Sequence, residues 1–298
     1  MRRLVILLVF CISLISADQA RAAAGHYVSG VEGIRAATLP PPGMYWKVYN
    51  VFYNASDMRN NNRNKAPGNF DVSVYALANR LIYSSEIEVL GGNLLFDVIF
   101  PLTYTDVSMR AGGSTVFSDN KFGIGDVFVE PFLIAWHGER YDALAALGAY
   151  VPTGEFDSDR PASAGMGFWT FMFTLGGTYY LDEAKTWSIS SVARYEIHTR
   201  QEETHITPGN HFHFEWGLGK NFAQVFDIGV SGYCHWQVTD DSGPMSTSNR
   251  EQAFAIGPEI GFFIEPLKLH VALRSQWEFE NRNKSQGNVT ALNFTYSF

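Results

Sequence analysis

Residues Asn288 to Phe298, NVTALNFTYSF, place Thr290, Leu292, Phe294, Tyr296 and Phe298 on one face and end the chain on an aromatic carboxyl terminus. Successive side chains of a strand point to opposite faces, so a period of two separates one side of the segment from the other. That is the pattern of a transmembrane β-barrel, in which one face meets lipid and the other meets the lumen. The last strand of a soluble sandwich shares the alternation, and the rest of the chain has to separate the two.

The amino-terminal end agrees with a barrel. Arg2 and Arg3 precede an apolar run from Leu4 to Ile15, and Ala20-Arg21-Ala22 supplies small residues at alternate positions. This reads as a secretory signal over residues 1–22, with cleavage after Ala22 or Ala24. The run is shorter than the roughly 20 apolar residues a spanning helix needs, and no later stretch qualifies. Cys11 leaves with the signal and Cys234 remains alone, which excludes an intrachain disulfide. Loss of Arg2, Arg3, Arg21 and Asp18 takes the basic count from 22 to 19 and the acidic count from 30 to 29. The mature net charge is then about −10, and a nucleic-acid partner is disfavoured. Aromatic residues at 15%, charged residues at only 17% and 27 glycines suit short strands, turns and aromatic girdles.

Twelve strands are expected. The clearest lie in the second half, where Trp187, Ile189, Ala193, Tyr195 and Ile197 oppose Ser188, Ser190, Arg194, Glu196 and His198. Phe212, Phe214, Trp216 and Leu218 oppose His211, His213 and Glu215. Phe226, Ile228, Val230, Cys234, Trp236 and Val238 oppose Asp227, Ser231, Tyr233, His235 and Gln237. Leu267, Leu269, Val271, Leu273, Trp277 and Phe279 oppose Lys268, His270, Arg274, Gln276 and Glu278. None of these repeats at the 3.6 residues of an amphipathic helix. Further strands are expected near 44–53, 70–83, 94–105, 123–136, 141–151, 168–181 and 253–264. Pro101, Pro131 and Pro258 fall inside three of them and mark bulges or boundaries, because each removes a ladder donor.

The connections alternate in length. Segments 54–69, 106–121, 152–167, 199–210, 239–252 and 280–287 are long, while 137–140, 182–186, 221–224 and 265–266 are tight. Bacterial barrels have long extracellular loops and short periplasmic turns, and an even strand number returns the carboxyl terminus to the periplasmic side. The fold class is therefore all-β: one antiparallel transmembrane β-barrel over residues 43–298, preceded by a periplasmic or lumenal segment over 23–42. A terminal Phe298 on the outward face resembles the signal read by the outer-membrane assembly machinery. That machinery and outer-membrane lipid are the expected partners, and the outer membrane is the expected location after export.

Five stretches carry a resemblance to a known family. They are His26 to Tyr45 (HYVSGVEGIRAATLPPPGMY), Gly125-Asp126 through Pro131 to Trp136-His137, Val151 to Asp157 (VPTGEFD), Gly229 to Gly243 (GVSGYCHWQVTDDSG) and Ala255 to Gly261 (AIGPEIG). In order and spacing they resemble the outer-membrane family labelled "putative MetA-pathway of phenol degradation", across almost all of the mature chain. The resemblance implies an outer-membrane transporter associated with uptake of aromatic or other hydrophobic compounds.

Function has to come from the lumen and the loops. A twelve-stranded barrel falls between those filled by side chains and the porins of about 16 to 18 strands with an open channel. The expected lumen-lining residues are Asp126, Glu130, Arg194, Glu196, His198, His211, His213, Glu215, Asp227, Tyr233, His235, Glu259 and Arg274, with Glu278. They either satisfy one another within a low-dielectric wall or line a path for a small-molecule solute. Residues 25–42 carry Gly25, Gly30 and Gly33 and end in Pro40-Pro41-Pro42-Gly43. They read first as a flexible periplasmic leader, and second as a plug or gate inside the bore.

Other functional classes find weaker signals in the sequence. A tight turn at 221–224 brings His235 opposite His211 in the simplest register, and Glu215 would complete a metal set with His211 and His213. Polar packing is the commoner role for lumenal histidines, so no metal and no cofactor is expected. Gly229-Val230-Ser231-Gly232 lacks the spacing of a nucleophile elbow, and no serine has a base partner by spacing. An enzyme is not expected, although an outer-membrane hydrolase with catalytic residues at its rim, or an adhesive barrel acting through its solvated loops, stands as the alternative. The resulting expectation is a passive channel for small, aromatic or hydrophobic solutes.

Overall fold

The computed structural model describes residues 25–244 and 246–298, so the expected signal segment lies outside the described residues. Thirteen strands are present: β1 Gly43–Met58, β2 Asn69–Val89, β3 Gly92–Ala111, β4 Ser114–Ile124, β5 Val127–His137, β6 Tyr141–Val151 and β7 Thr170–Tyr180, followed by β8 Trp187–His198, β9 His211–Phe222, β10 Phe226–Gln237, β11 Gln252–Ile264, β12 Leu269–Arg282 and β13 Ser285–Ser297. Each pairs antiparallel with its neighbours, and β13 returns to β1 with Val51 opposite Ala291. The wall is a closed barrel of twelve strands, as expected from the sequence.

The thirteenth strand comes from a division. The segment expected as one strand over 123–136 breaks at Gly125-Asp126 into β4 and β5, which pair with successive halves of β3. Pro101 stands at that handover, where the Gly125 N–H donates to the Pro101 carbonyl at 2.9 Å. A proline costs no ladder bond at a position where the partner strand changes. Pro131 lies within the register shift between Val129 and Phe132.

Two segments expected as long loops are strand instead. β3 and β4 run out to the turn Gly112-Gly113, with φ +60° and +83°, and β12 and β13 run out to Asn283-Lys284. Two consecutive positive-φ residues form the two-residue turn whose twist matches a hairpin, and paired glycines favour it. With 21 and 20 residues, β2 and β3 far exceed the 9–11 a tilted spanning strand needs, so this hairpin projects beyond the apolar band.

The barrel is inverted relative to a soluble domain. Leu175, Trp277 and Phe262 are exposed on the outside, while Thr174, Gln276 and Glu259 are buried inside. Cys234 lies on the outward face of β10 with Trp236 and Val230. The tight connections and both ends of the barrel strands, Gly43 and Ser297, share one rim; the longer connections share the other.

Candidate functional site: an occupied lumen

Inward charges in a low-dielectric wall need partners, and here the chain's own amino-terminal segment supplies many of them. Residues 25–42 run through the bore and bond to strands all round it, which corrects the leader reading. Glu196 accepts from the Tyr27 N–H at 2.9 Å. Glu215 accepts from the Tyr27 hydroxyl and from the Gly30 N–H, each at 2.5 Å, and from Arg194 at 2.8 Å. The Arg194 guanidinium also stacks over the Tyr27 ring, 4.3 Å from its centroid.

Further along, Arg274 forks onto Glu259 with both contacts at 3.1 Å and also donates to the Val31 carbonyl. Glu259 in turn accepts from the Ile34 N–H at 3.0 Å. Glu32 accepts from Lys47 at 2.9 Å and from Tyr49 at 3.0 Å, with Arg80 3.6 Å away. Arg80 bridges from there to Asp97 and Glu130. Thr38 pairs with Tyr180 at 3.1 Å, and the Arg35 guanidinium donates to the Lys185 carbonyl at 2.9 Å.

The wall is carved to take this segment. A Cβ at Gly219 would stand 2.2 Å from Ile34 Cγ2, and one at Gly229 would meet first the Leu218 carbonyl of the neighbouring strand at 2.1 Å and then Ile34 Cδ1 at 2.7 Å. These inward glycines of β9 and β10 leave the cradle that Ile34 fills. On the segment itself, a Cβ at Gly33 would strike the Glu259 carboxylate at 1.9 Å. Gly30 holds φ +90° against Tyr233 and Gln276, a conformation costly for other residues.

A histidine-rich network occupies the half of the bore toward the longer connections. Asp126, in the break between β4 and β5, accepts from the Gly154 and Met166 N–H groups and pairs with His26 Nε2 at 2.8 Å. His26 Nδ1 lies 2.6 Å from Thr170 Oγ1, which lies 2.7 Å from His198 Nδ1; His198 Nε2 meets His211 Nδ1 at 2.9 Å. The expected register is corrected here. His235 stands opposite His213, not His211, with their rings stacked at 4.6 Å. Glu215 stays with Arg194 and Tyr27 and does not join a histidine set.

Ser29, His213 and Glu196 have the connectivity of a hydrolase triad, at 2.9 and 2.8 Å. The neighbouring Gly30 N–H, which would have to stabilise an oxyanion, is committed to Glu215. Tyr233 donates to Glu278 at 2.7 Å. Asp227 lies at the tight-turn rim, beside Asn221, with His270 at 3.8 Å and the Arg35 guanidinium of the segment at 3.9 Å.

Of the fourteen residues singled out from sequence, all but Asp227 are buried. Sequence reasoning missed Tyr27, Glu32, Lys47 and Arg80. Lys47 and Arg80 are cross-strand neighbours, and two inward cations side by side signal a missing carboxylate. Two ring nitrogens, His211 Nε2 and His235 Nε2, have no partner; an unsatisfied buried polar atom costs about 1–3 kcal/mol.

A family model described as "Putative MetA-pathway of phenol degradation" matches residues 55–294. The chain belongs to that family. Among solved structures, this family member resembles an outer membrane channel from Pseudomonas putida F1, with TM-score 0.76 at 12% identity over 92% of this chain and 100% of that one. The translocator domain of the autotransporter NalP from Neisseria meningitidis aligns with TM-score 0.51 at 10% identity, covering 88% of this chain and 91% of the other. The transport unit of the autotransporter AIDA-I from Escherichia coli gives TM-score 0.51 at 11% identity, covering 95% and 97%. All three share the outer-membrane barrel fold. No curated protein matches the sequence.

Proposed function

We propose that this family member is an outer-membrane channel admitting small, aromatic or hydrophobic solutes passively, with residues 25–42 as its gate. One observation carries the reading: a segment with turns but no strand or helix of its own is held in the bore by separate side-chain contacts to many strands. A gate has to be displaceable, and separate hydrogen bonds can be lost one after another, whereas a ladder of paired backbone comes apart as a unit. The family's phenol-degradation label supports the solute class, and the fold shared with a bacterial outer membrane channel supports the channel.

The test is permeation through liposomes carrying the refolded mature chain, with and without residues 23–42, using phenol, benzoate, an alkane acid and a sugar. Flux selective for the aromatic solutes that rises on truncation is expected. Absence of flux in both forms, with barrel folding verified by heat-modifiable migration on a gel, rejects the channel. Residues 1–22 would direct export, and Phe298 would engage the assembly machinery. Phe298→Asp should then lower the amount of folded barrel recovered from outer membranes several-fold while leaving refolding in detergent unchanged; equal recovery in cells would count against that role.

A further inference from the structure

We propose that His211, His235 and Glu251 form a binding site for a borderline divalent metal ion of the zinc class. One ligand atom from each lies within 4.8 Å of the others, and all three residues are buried. His211 comes from β9 and His235 from β10, and Glu251 immediately precedes β11. Among the described residues, the two fully buried ring nitrogens without a partner, His211 Nε2 and His235 Nε2, belong to this trio. Two imidazoles and one carboxylate are a donor set suited to zinc and its neighbours.

The surroundings orient the ligands. His211 Nδ1 is engaged by His198 Nε2 at 2.9 Å, which leaves Nε2 as its free ligand atom. His198 is fixed in turn through Thr170 to His26 and Asp126, the outer-shell chain that holds metal-binding histidines in one tautomer and orientation. The Glu251 N–H donates to Gln237 at 3.2 Å, which anchors its backbone. Lys284 Nζ stands 3.3 Å from the Glu251 carboxylate, and a dication would displace that ammonium.

Zinc bonds of about 2.0–2.1 Å require each ligand to move inward by about 1 Å, with water as the fourth donor. Glu196, His198 and His211 form a second close trio, yet Glu196 is committed to Tyr27 and His213, and both His198 nitrogens are bonded. Residues 239–240, 242–244, 246 and 248–249, a short way ahead of Glu251 in the chain, are exposed.

The refolded mature chain in detergent should take up one Zn²⁺ per barrel in competition with a chromophoric chelator. With Co²⁺ it should show the visible absorption of a tetrahedral centre. His235→Ala and Glu251→Gln should each weaken binding more than about 10-fold, while His137→Ala, at the opposite rim, should bind as the parent does. The parent's titration stands without any variant: absence of stoichiometric uptake by folded protein overturns the site. So does a His211→Ala/His235→Ala double variant that binds as tightly as the parent.

Discussion

In the proposed gate, Gly219 is the wall glycine that seats the amino-terminal segment most closely. Its missing Cβ leaves the space taken by Ile34 Cγ2, and its carbon faces the bore while its neighbours Leu218 and Lys220 face outward. Gly219→Val should therefore evict the amino-terminal segment without touching the lipid face. The expected result is a rise in aromatic-solute flux approaching that of the chain truncated before residue 43, with unchanged heat-modifiable migration. Flux at the parent's level would mean that Ile34 finds another seat and that the glycines serve only wall packing. The alternation of β9 made the inward position of Gly219 readable from sequence. Its partner was not readable, because Ile34 lies in a segment with no period and stands 185 positions before Gly219 in the chain.

At the scale of elements, the short turns carry their own stability. Asp182, between β7 and β8, accepts from the Thr186 hydroxyl at 2.7 Å, the Trp187 N–H at 2.7 Å and the Thr186 N–H at 3.2 Å. The Thr186 hydroxyl, then the Trp187 amide, hold its carboxyl down at about 2, below the value of about 3.9 in an unfolded chain. A depressed folded-state value means that this contribution is present above about pH 4 and is lost as the pH falls toward 2. Between pH 7 and pH 3 the unfolding temperature of the parent should drop more than that of Asp182→Asn; equal drops would remove the turn from the acid response. The strands themselves were legible, since Trp187–His198 and His211–Phe222 alternate without a break. The Gly112-Gly113 pair was a legible hairpin signal too, passed over because polar residues on either side of it resemble a loop. What alternation could not give was the partner of each residue across the ladder. The tight connection leaves more than one register open, and only the register decides that His235 meets His213.

For the whole molecule, the inward carboxylates are arranged for a partner that belongs to the same chain. Glu196, Glu215 and Glu259 each accept a backbone N–H from the segment in addition to pairing with a histidine or an arginine of the wall. Charge count and parity placed these groups in the lumen. They could not reveal the occupant, because its donors are mostly backbone amides, which every sequence possesses. The attachment at Gly43 adds a property that no freely diffusing inhibitor has. A gate joined directly to β1 would stay within its own length of the mouth after leaving, so its reclosure would be a first-order event governed by an effective concentration in roughly the millimolar range. Under the proposed gating, opening would need no second protein to reset it, and resealing of one barrel would be independent of how many others share the membrane.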